Sequence, residues 1–268
     1  MSQAFIAVRG GLGNQMFQAA FGIAIEKAFD VEVRYLSDYV AMDPFGRRFL
    51  LDNFPGLEGK TVALDAADDA PAYGEQGVDA AVLGELFRQQ PRVTFHGYWQ
   101  NECFFFGQDA AIAAGFRLQV GPDLALRVGE VRASRAIGIH VRRSEYGHHG
   151  LAAADYYRNA IAEIRREAGP APVACFTDEP NFARFTFRDI PELVVMQPNS
   201  ERPQDDLYLL SQCRHFVIAN SSFSWWAAWL GASSTSIVYA PLPWCVYDPS
   251  LQPVPARWRS IEAAVQAP

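Results

Sequence analysis

The chain has no run of about 18 uninterrupted apolar residues, so no segment reads as a membrane span. Its first residues, MSQAFIAVRG, carry no basic segment followed by an apolar one, so no secretory signal is expected there. Cysteine is scarce: Cys103, Cys175, Cys213 and Cys245 are far apart and none forms a C-x-x-C pair. That excludes the usual zinc and dithiol signatures, and the four are expected to be buried free thiols in a reducing, cytoplasmic setting. There is no basic excess either, with 23 Lys and Arg against 30 Asp and Glu, a net charge of −7. Nonspecific nucleic-acid binding needs clustered Lys and Arg, so a nucleic-acid partner is not expected. The common nucleotide signatures fail as well. Gly10, Gly11 and Gly13 do not complete G-x-G-x-x-G, and the GKT at 59–61 has Phe54 where a P-loop needs glycine. No D-x-D is present to hold a nucleotide's metal ion, and the adjacent His148 and His149 could not both face one metal from a regular element.

What is present is ordinary in amount and informative in order. Of 268 residues, 50% are hydrophobic and 20% charged, enough for a large core and two compact lobes. The chain opens on a strand (4–10), a glycine-rich turn, a helix (14–29) whose Phe17, Phe21, Ala24, Ile25 and Ala28 share a stripe, and a second strand (31–36). Residues 38–90 hold glycine and proline breaks and give no regular pattern; within them the acidic, alanine-rich ALDAADDAPAYGEQG (63–77) reads as a solvated loop with short helices, and 92–100 resumes strand character. Further on, strand patterns at 136–141, 173–177, 193–197, 215–220 and 236–240 alternate with helical ones at 155–168, 180–187, 204–213 and 222–230. Such alternation means parallel sheets with crossover helices. The break at 120–133 sets the expected division: residues 1–130 in one Rossmann-like α/β lobe and 131–268 in another, facing a cleft.

Three junctions carry chemistry. In IGIHVRRSEY (137–146), an apolar strand ends in His140, Arg142 and Arg143, either a surface turn or an anion site at a strand's carboxyl end. In ANSSFSWWAAWLG (219–231), Asn220, Ser221 and Ser222 stand between a strand and a Trp-rich helix, where a serine is a good N-cap and the same geometry suits a phosphate. In DDLYLLSQC (205–213), two acids open a helix, as its dipole favours, and one could instead accept from a nucleobase. RGGLGNQMF (9–17) is a tight turn or a ligand loop.

Taken together, these blocks resemble glycosyltransferase family 11, the α-1,2-fucosyltransferases. GGLGNQMFQAAFG, GYWQNECFF, HVRRSEY, LAAADYYRNAI, CFTDEP and LLSQCRHFVIANSSFSWWAAWLG resemble the family's blocks and follow in its order. The resemblance implies a GT-B fold and an inverting, metal-independent transfer of fucose from GDP-fucose to the 2-hydroxyl of a terminal β-galactoside in a glycan. It implies donor contacts from Arg142, steadied by Arg143, and from His140, Asp206, Asn220, Ser221 and Ser222 in the second lobe. The loop of Gly11, Gly13 and Asn14 would face the cleft from the first lobe, the acceptor side. Arginine suits the leaving diphosphate because it stays protonated and binds oxyanions bidentately. The family's Gly-Asp after the arginines is Ser144-Glu145 here. Glu145 is nominated as the base that takes the acceptor's proton, with Asp38, Glu102 and His149 as rivals. The motifs also allow a GT-B transferase with another acceptor or linkage, or a non-catalytic nucleotide-sugar-binding protein. They leave room for peripheral association with a membrane-linked acceptor.

Overall fold

The computed structural model describes residues 2–143, 150–248, 251–263 and 265–266. The chain divides into two compact units, Met1–Gln119 and Val120–Pro268. In the first unit, strands β1 (Gln3–Ala7), β2 (Glu32–Leu36), β3 (Thr61–Val62), β4 (Ala72–Gly74) and β5 (Arg92–His96) form a parallel sheet in the order β3-β2-β1-β5-β4. Helix α1 (Leu12–Phe29) follows β1 and is buried along most of its length, as an apolar helix with no polar face must be. Three shorter helices complete the unit: α2 (Asp38–Ala41), α3 (Ala80–Gln89) and α4 (Asp109–Gly115).

The second unit begins with α5 (Pro122–Ser134) and continues through β6 (Ile137–Val141), β7 (Leu151–Ala152), α6 (Ala154–Ala168), β8 (Val173–Thr177), α7 (Pro180–Thr186) and β9 (Leu193–Val195). It ends with α8 (Pro203–Leu210), β10 (His215–Val217), α9 (Ser222–Gly231), β11 (Val238–Leu242), β12 (Arg259–Glu262) and β13 (Val265–Gln266). Its parallel six-stranded sheet has the order β12-β11-β10-β6-β8-β9, while β13 pairs antiparallel with β7. Every residue of β6 and β8 is buried, which is why both read as unbroken apolar runs: helices cover both faces of a parallel sheet. Gly138 permits that cover, since a β-carbon there would lie 2.7 Å from Leu210 Cδ1 and 2.8 Å from Cys213 Sγ.

Several expectations differ from the structure. The stretch 120–133 is helix α5, not a break, and it goes with the second unit, so the division falls at 119/120 rather than at 130. Gly121, Pro122 and Gly129 mask a helix whose Leu124, Val128 and Val131 recur at i, i+4 and i+7 on a buried face. Within 38–90, β4 is an edge strand with two exposed residues and so has little apolar signal, whereas α3 is amphipathic, with Val82, Leu83, Leu86 and Phe87 recurring at helical spacing after the Asp79 N-cap, a pattern the sequence reading passed over. All four cysteines are free, but Cys103 is exposed.

Tyr156 ties the elements of the second unit together. From α6 its fully buried hydroxyl is placed between two carbonyl oxygens, Ile218 O at 2.7 Å and Tyr239 O at 2.9 Å, one just after β10 and the other on β11. Replacing Tyr156 by Phe keeps the ring and removes the hydroxyl from Ile218 O, while Tyr239 O keeps the Ile218 N–H at 2.9 Å. The expected cost is about 1–3 kcal/mol, read as a lower urea midpoint for the second unit.

Candidate functional site

The chain leaves β6 on one side to build β8 and β9, then crosses over to lay β10, β11 and β12 on the other. At such a switch point the connections after neighbouring strands diverge and leave a crevice at their carboxyl ends. Arg142 and Arg143 follow β6 directly, and residues 218–221 lead from β10, paired with β6 through Val217 and Ile139, into α9. The arginine pair and the serine cluster therefore share one edge. Asp206 reaches the same edge from the first turn of α8.

A carboxylate that the sequence reading left unassigned organises the arginines. Asp178, just after β8, pairs through Oδ2 with Arg142 Nη1 at 3.1 Å and accepts through Oδ1 from the backbone N–H of Arg143 at 3.0 Å. The pair is partly buried, with side-chain exposures of 22% for Arg142 and 17% for Asp178. One end of the Arg142 fork is thus anchored, and orientation comes from the protein. Arg143 points elsewhere: its guanidinium lies 3.8 Å from the centre of the Phe182 ring and its Nε 3.8 Å from Glu179 Oε2.

His140 is buried on β6 with its ring centre 5.1 Å from that of Phe223 in the first turn of α9. Burial, and then the charge of Arg142, depress its pKa to about 3 against a smaller opposing pull from Asp178, so the imidazole is neutral in any ordinary buffer. Its Nδ1 is buried without a hydrogen-bond partner among the described residues. Asn220 is buried and donates through Nδ2 to Gly150 O at 2.9 Å, and Ser221 and Ser222 are buried too. Ser221 occupies the N-cap position of α9 in extended conformation yet makes no side-chain capping bond, which is the bland role the sequence offered it. An uncapped helix start favours an anion. Asp206 accepts from the N–H of Asn199 through Oδ2 at 2.6 Å, while its Oδ1 is buried with no partner among the described residues. Burial raises its pKa above the ordinary aspartate value, against the Asn199 hydrogen bond and the charge of Arg127.

The first unit has its own switch point, between β1 and β5. Of the glycine loop, Gly10 holds the left-handed conformation (φ +75°) that favours glycine, Gly11 is extended at the start of α1, and Gly13 lies inside the helix. Asn14 Oδ1 accepts from Gln100 Nε2 at 2.8 Å. The loop is held by two wholly buried glutamines that the sequence reading passed over. Gln18 accepts from Arg9 N–H at 2.7 Å and donates to Arg9 O at 3.2 Å. Gln15 donates to Gly10 O and Arg48 O, both at 2.8 Å, and accepts from Leu50 N–H at 2.9 Å. Two amides three residues apart inside an otherwise apolar helix were the available signal. For Asp178 it was an acid directly after the strand beside the arginine strand.

Of the base candidates, Glu145 and His149 lie outside the described residues. Asp38 accepts from Leu64 N–H at 2.7 Å, fixing the chain after β3, and Glu102 opens a short 3₁₀ turn. No group of three or more His, Cys, Asp or Glu among the described residues is placed to hold a metal ion. No described helix is long and apolar enough to cross a membrane.

A family model described as Glycosyl transferase family 11 matches residues 89–245. The chain belongs to that family. An alpha-1,2-colitosyltransferase of Escherichia coli is 26% identical over 98% of this chain and 100% of its own. The O-antigen biosynthesis glycosyltransferase WbnK, also of Escherichia coli, is 26% identical over 90% of this chain and 94% of its own. Among solved structures, a NodZ α-1,6-fucosyltransferase soaked with GDP-fucose superposes with a TM-score of 0.52 at 16% identity, over 86% of this chain and 93% of that one. The fold is GT-B, and the protein is a family 11 glycosyltransferase.

Asp178 gives a direct test within this family assignment. Asp178→Asn removes the charge that anchors Arg142 and keeps side-chain size. A guanidinium displaced by about 1 Å is expected to lower the transfer rate by on the order of 10²-fold, with the thermal midpoint falling only slightly. A rate equal to wild type would mean that Arg142 does not depend on this carboxylate for its position.

Proposed function

We propose that the protein transfers fucose from GDP-fucose to the 2-hydroxyl of a terminal β-galactoside in a glycan, with inversion and without a metal ion. The observation that carries the reading is Arg142, anchored by Asp178 at the β6–β10 switch point, beside the uncapped start of α9. This is a receptor for a diphosphate, with one fixed cation and a helix amino end converging on one edge. In the proposed reaction the acceptor's 2-hydroxyl oxygen attacks the anomeric carbon opposite the diphosphate. The bond from that carbon to the phosphate oxygen breaks, and its electron pair leaves with GDP. Arg142 receives the growing negative charge, the buried serines contact the phosphates, and the hydroxyl proton passes to a carboxylate base, for which Glu145 is our nominee. His140 is neutral and serves as a hydrogen-bonding wall beside the nucleotide rather than as a base.

Asp206 would take the guanine edge, its unpartnered Oδ1 accepting from the N1–H and 2-amino donors that guanine presents. A second reading is favoured by the likeness to a colitosyltransferase along the whole chain: the donor sugar would be colitose, which lacks the 3-hydroxyl of fucose. A site that hydrogen-bonds that hydroxyl discriminates strongly, whereas an apolar one does not.

The test is GDP release from GDP-fucose and GDP-colitose against β-galactosides in EDTA, with wild type and Arg142→Ala. Acceptor-dependent release that survives EDTA and falls by about 10²–10³-fold in the variant is expected; Arg142→Lys should rescue little, because lysine does not reproduce the fork. Faster release from GDP-colitose would move the assignment to the second reading, and stable donor with every sugar would remove both.

Asp206 adds a pH prediction. Guanine binding needs its ionised form, and burial raises its pKa, so GDP affinity should weaken as pH falls through a range above that of an ordinary aspartate. Asp206→Asn should bind GDP about 10–10²-fold more weakly and show no such slope. Calorimetric titrations between pH 4.5 and 7.5 would measure both.

A further inference from the structure

We infer that His96 reads the acceptor sugar at the carboxyl edge of the first sheet, donating a hydrogen bond from Nε2–H to a sugar oxygen. The inference rests on the proposed transferase reading and adds the residue and the atom through which the acceptor is held.

His96 ends β5 and Arg9 lies just beyond β1, so the two straddle the first unit's switch point, where a parallel sheet opens a crevice. Arg9 Nη2 lies 3.3 Å from His96 Nδ1. A guanidinium only donates, so Nδ1 must accept, and the proton of the neutral ring sits on Nε2. Burial and the Arg9 charge both push the His96 pKa down, which keeps the ring neutral. The tautomer is thereby fixed, and His96 presents a donor rather than a base. The ring's direction is fixed as well: it stands edge-on to Tyr39 at 5.4 Å and 84°, and Arg9 in turn stacks 4.7 Å from the centre of the same Tyr39 ring.

The surroundings suit a neutral sugar better than a phosphate. Arg9 supplies a positive charge, but Glu75 lies at the same edge, its Oε2 accepting from Trp99 N–H at 2.7 Å and placed 3.0 Å from where a β-carbon on Gly97 would be. The two charges offset one another, leaving polar edges and aromatic rings. Tyr98, two residues past His96, is 46% exposed and offers a face to the C–H side of a sugar. Finally, Gln15 and Gln18 bury their amides to fix the backbone of Arg9 and Gly10. A surface turn with no ligand would have no use for an arginine placed so firmly.

The experiment compares wild type, His96→Ala and His96→Gln with methyl β-galactoside and its four monodeoxy analogues. Sugar affinity is read by ligand-observed NMR without donor, KM and kcat by turnover, and GDP affinity by calorimetry. His96→Ala should weaken galactoside binding and raise its KM roughly tenfold while leaving GDP affinity unchanged. His96→Gln, whose side-chain amide can place an N–H near the lost Nε2–H, should recover most of the loss. One monodeoxy analogue should bind wild type and His96→Ala equally, identifying the oxygen that His96 meets. Equal galactoside affinity in wild type and His96→Ala overturns the role of His96 alone. A parallel loss of GDP affinity assigns the residue to the donor or to the fold, and also overturns it. Wild-type protein that binds no galactoside overturns the proposed acceptor instead.

Discussion

The Asp178 carboxylate holds a side chain and a backbone in one grip, and the arrangement of the second sheet's carboxyl edge depends on that. Its two oxygens reach Arg142 Nη1 and the Arg143 N–H, so the first two residues beyond β6 are fixed against the end of β8. A partly buried ion pair is a weak source of stability, since desolvation consumes much of the attraction. Its value here is positional. A guanidinium on a long side chain is free to sample many rotamers, and under the proposed reaction one that meets a developing charge could not reorganise at the moment of reaction without cost. Anchoring one end of the fork removes that freedom in advance.

The same logic operates at the first sheet with different chemistry. Arg9 is positioned not by an acid but by two buried amides on α1 that bind its backbone, and by stacking on Tyr39. Both sheets therefore carry a preset arginine at the switch point of their strand order, each beside a histidine on a neighbouring or the same strand. The fold supplies the crevices through connectivity alone. The side chains that line them decide what each crevice can hold.

The strand and helix order of the second unit was legible because its central strands β6, β8 and β10 are buried apolar runs and α6 carries one apolar face. The first unit was less so. Its α3 and β4 bury little; in the second unit the exception is α5, hidden by two glycines and a proline, residues that usually end elements. At the candidate site, Arg142 and the serines could be placed at strand-to-helix junctions from the sequence, with His140 near the end of β6 and Asp206 in the first turn of α8. Asp178 could not, because its partner lies 36 residues away and only strand pairing brings them together. Gln15 and Gln18 stand out as amides in an apolar helix, but what they hold could not be read from the sequence. Their partners are backbone groups, which leave no mark in the pattern of side chains. Sequence motifs point to residues that meet a ligand more readily than to residues that hold them.

The two histidines bring out a further consequence of placing arginines first. Next to a fixed guanidinium and largely out of water, an imidazole gains a proton only against both desolvation and repulsion. His140 and His96 are both shifted down for these two reasons. Each guanidinium thereby biases the neighbouring imidazole toward its neutral form. Under the proposed reaction, Asp206, whose burial raises its pKa, and the base that takes the acceptor's proton are the groups expected to carry pH dependence. A fixed cation favours the unprotonated form of a neighbouring base whether that base is an imidazole or a carboxylate, so under the proposed reaction the charge that meets the leaving diphosphate also keeps a nearby base ready to accept a proton.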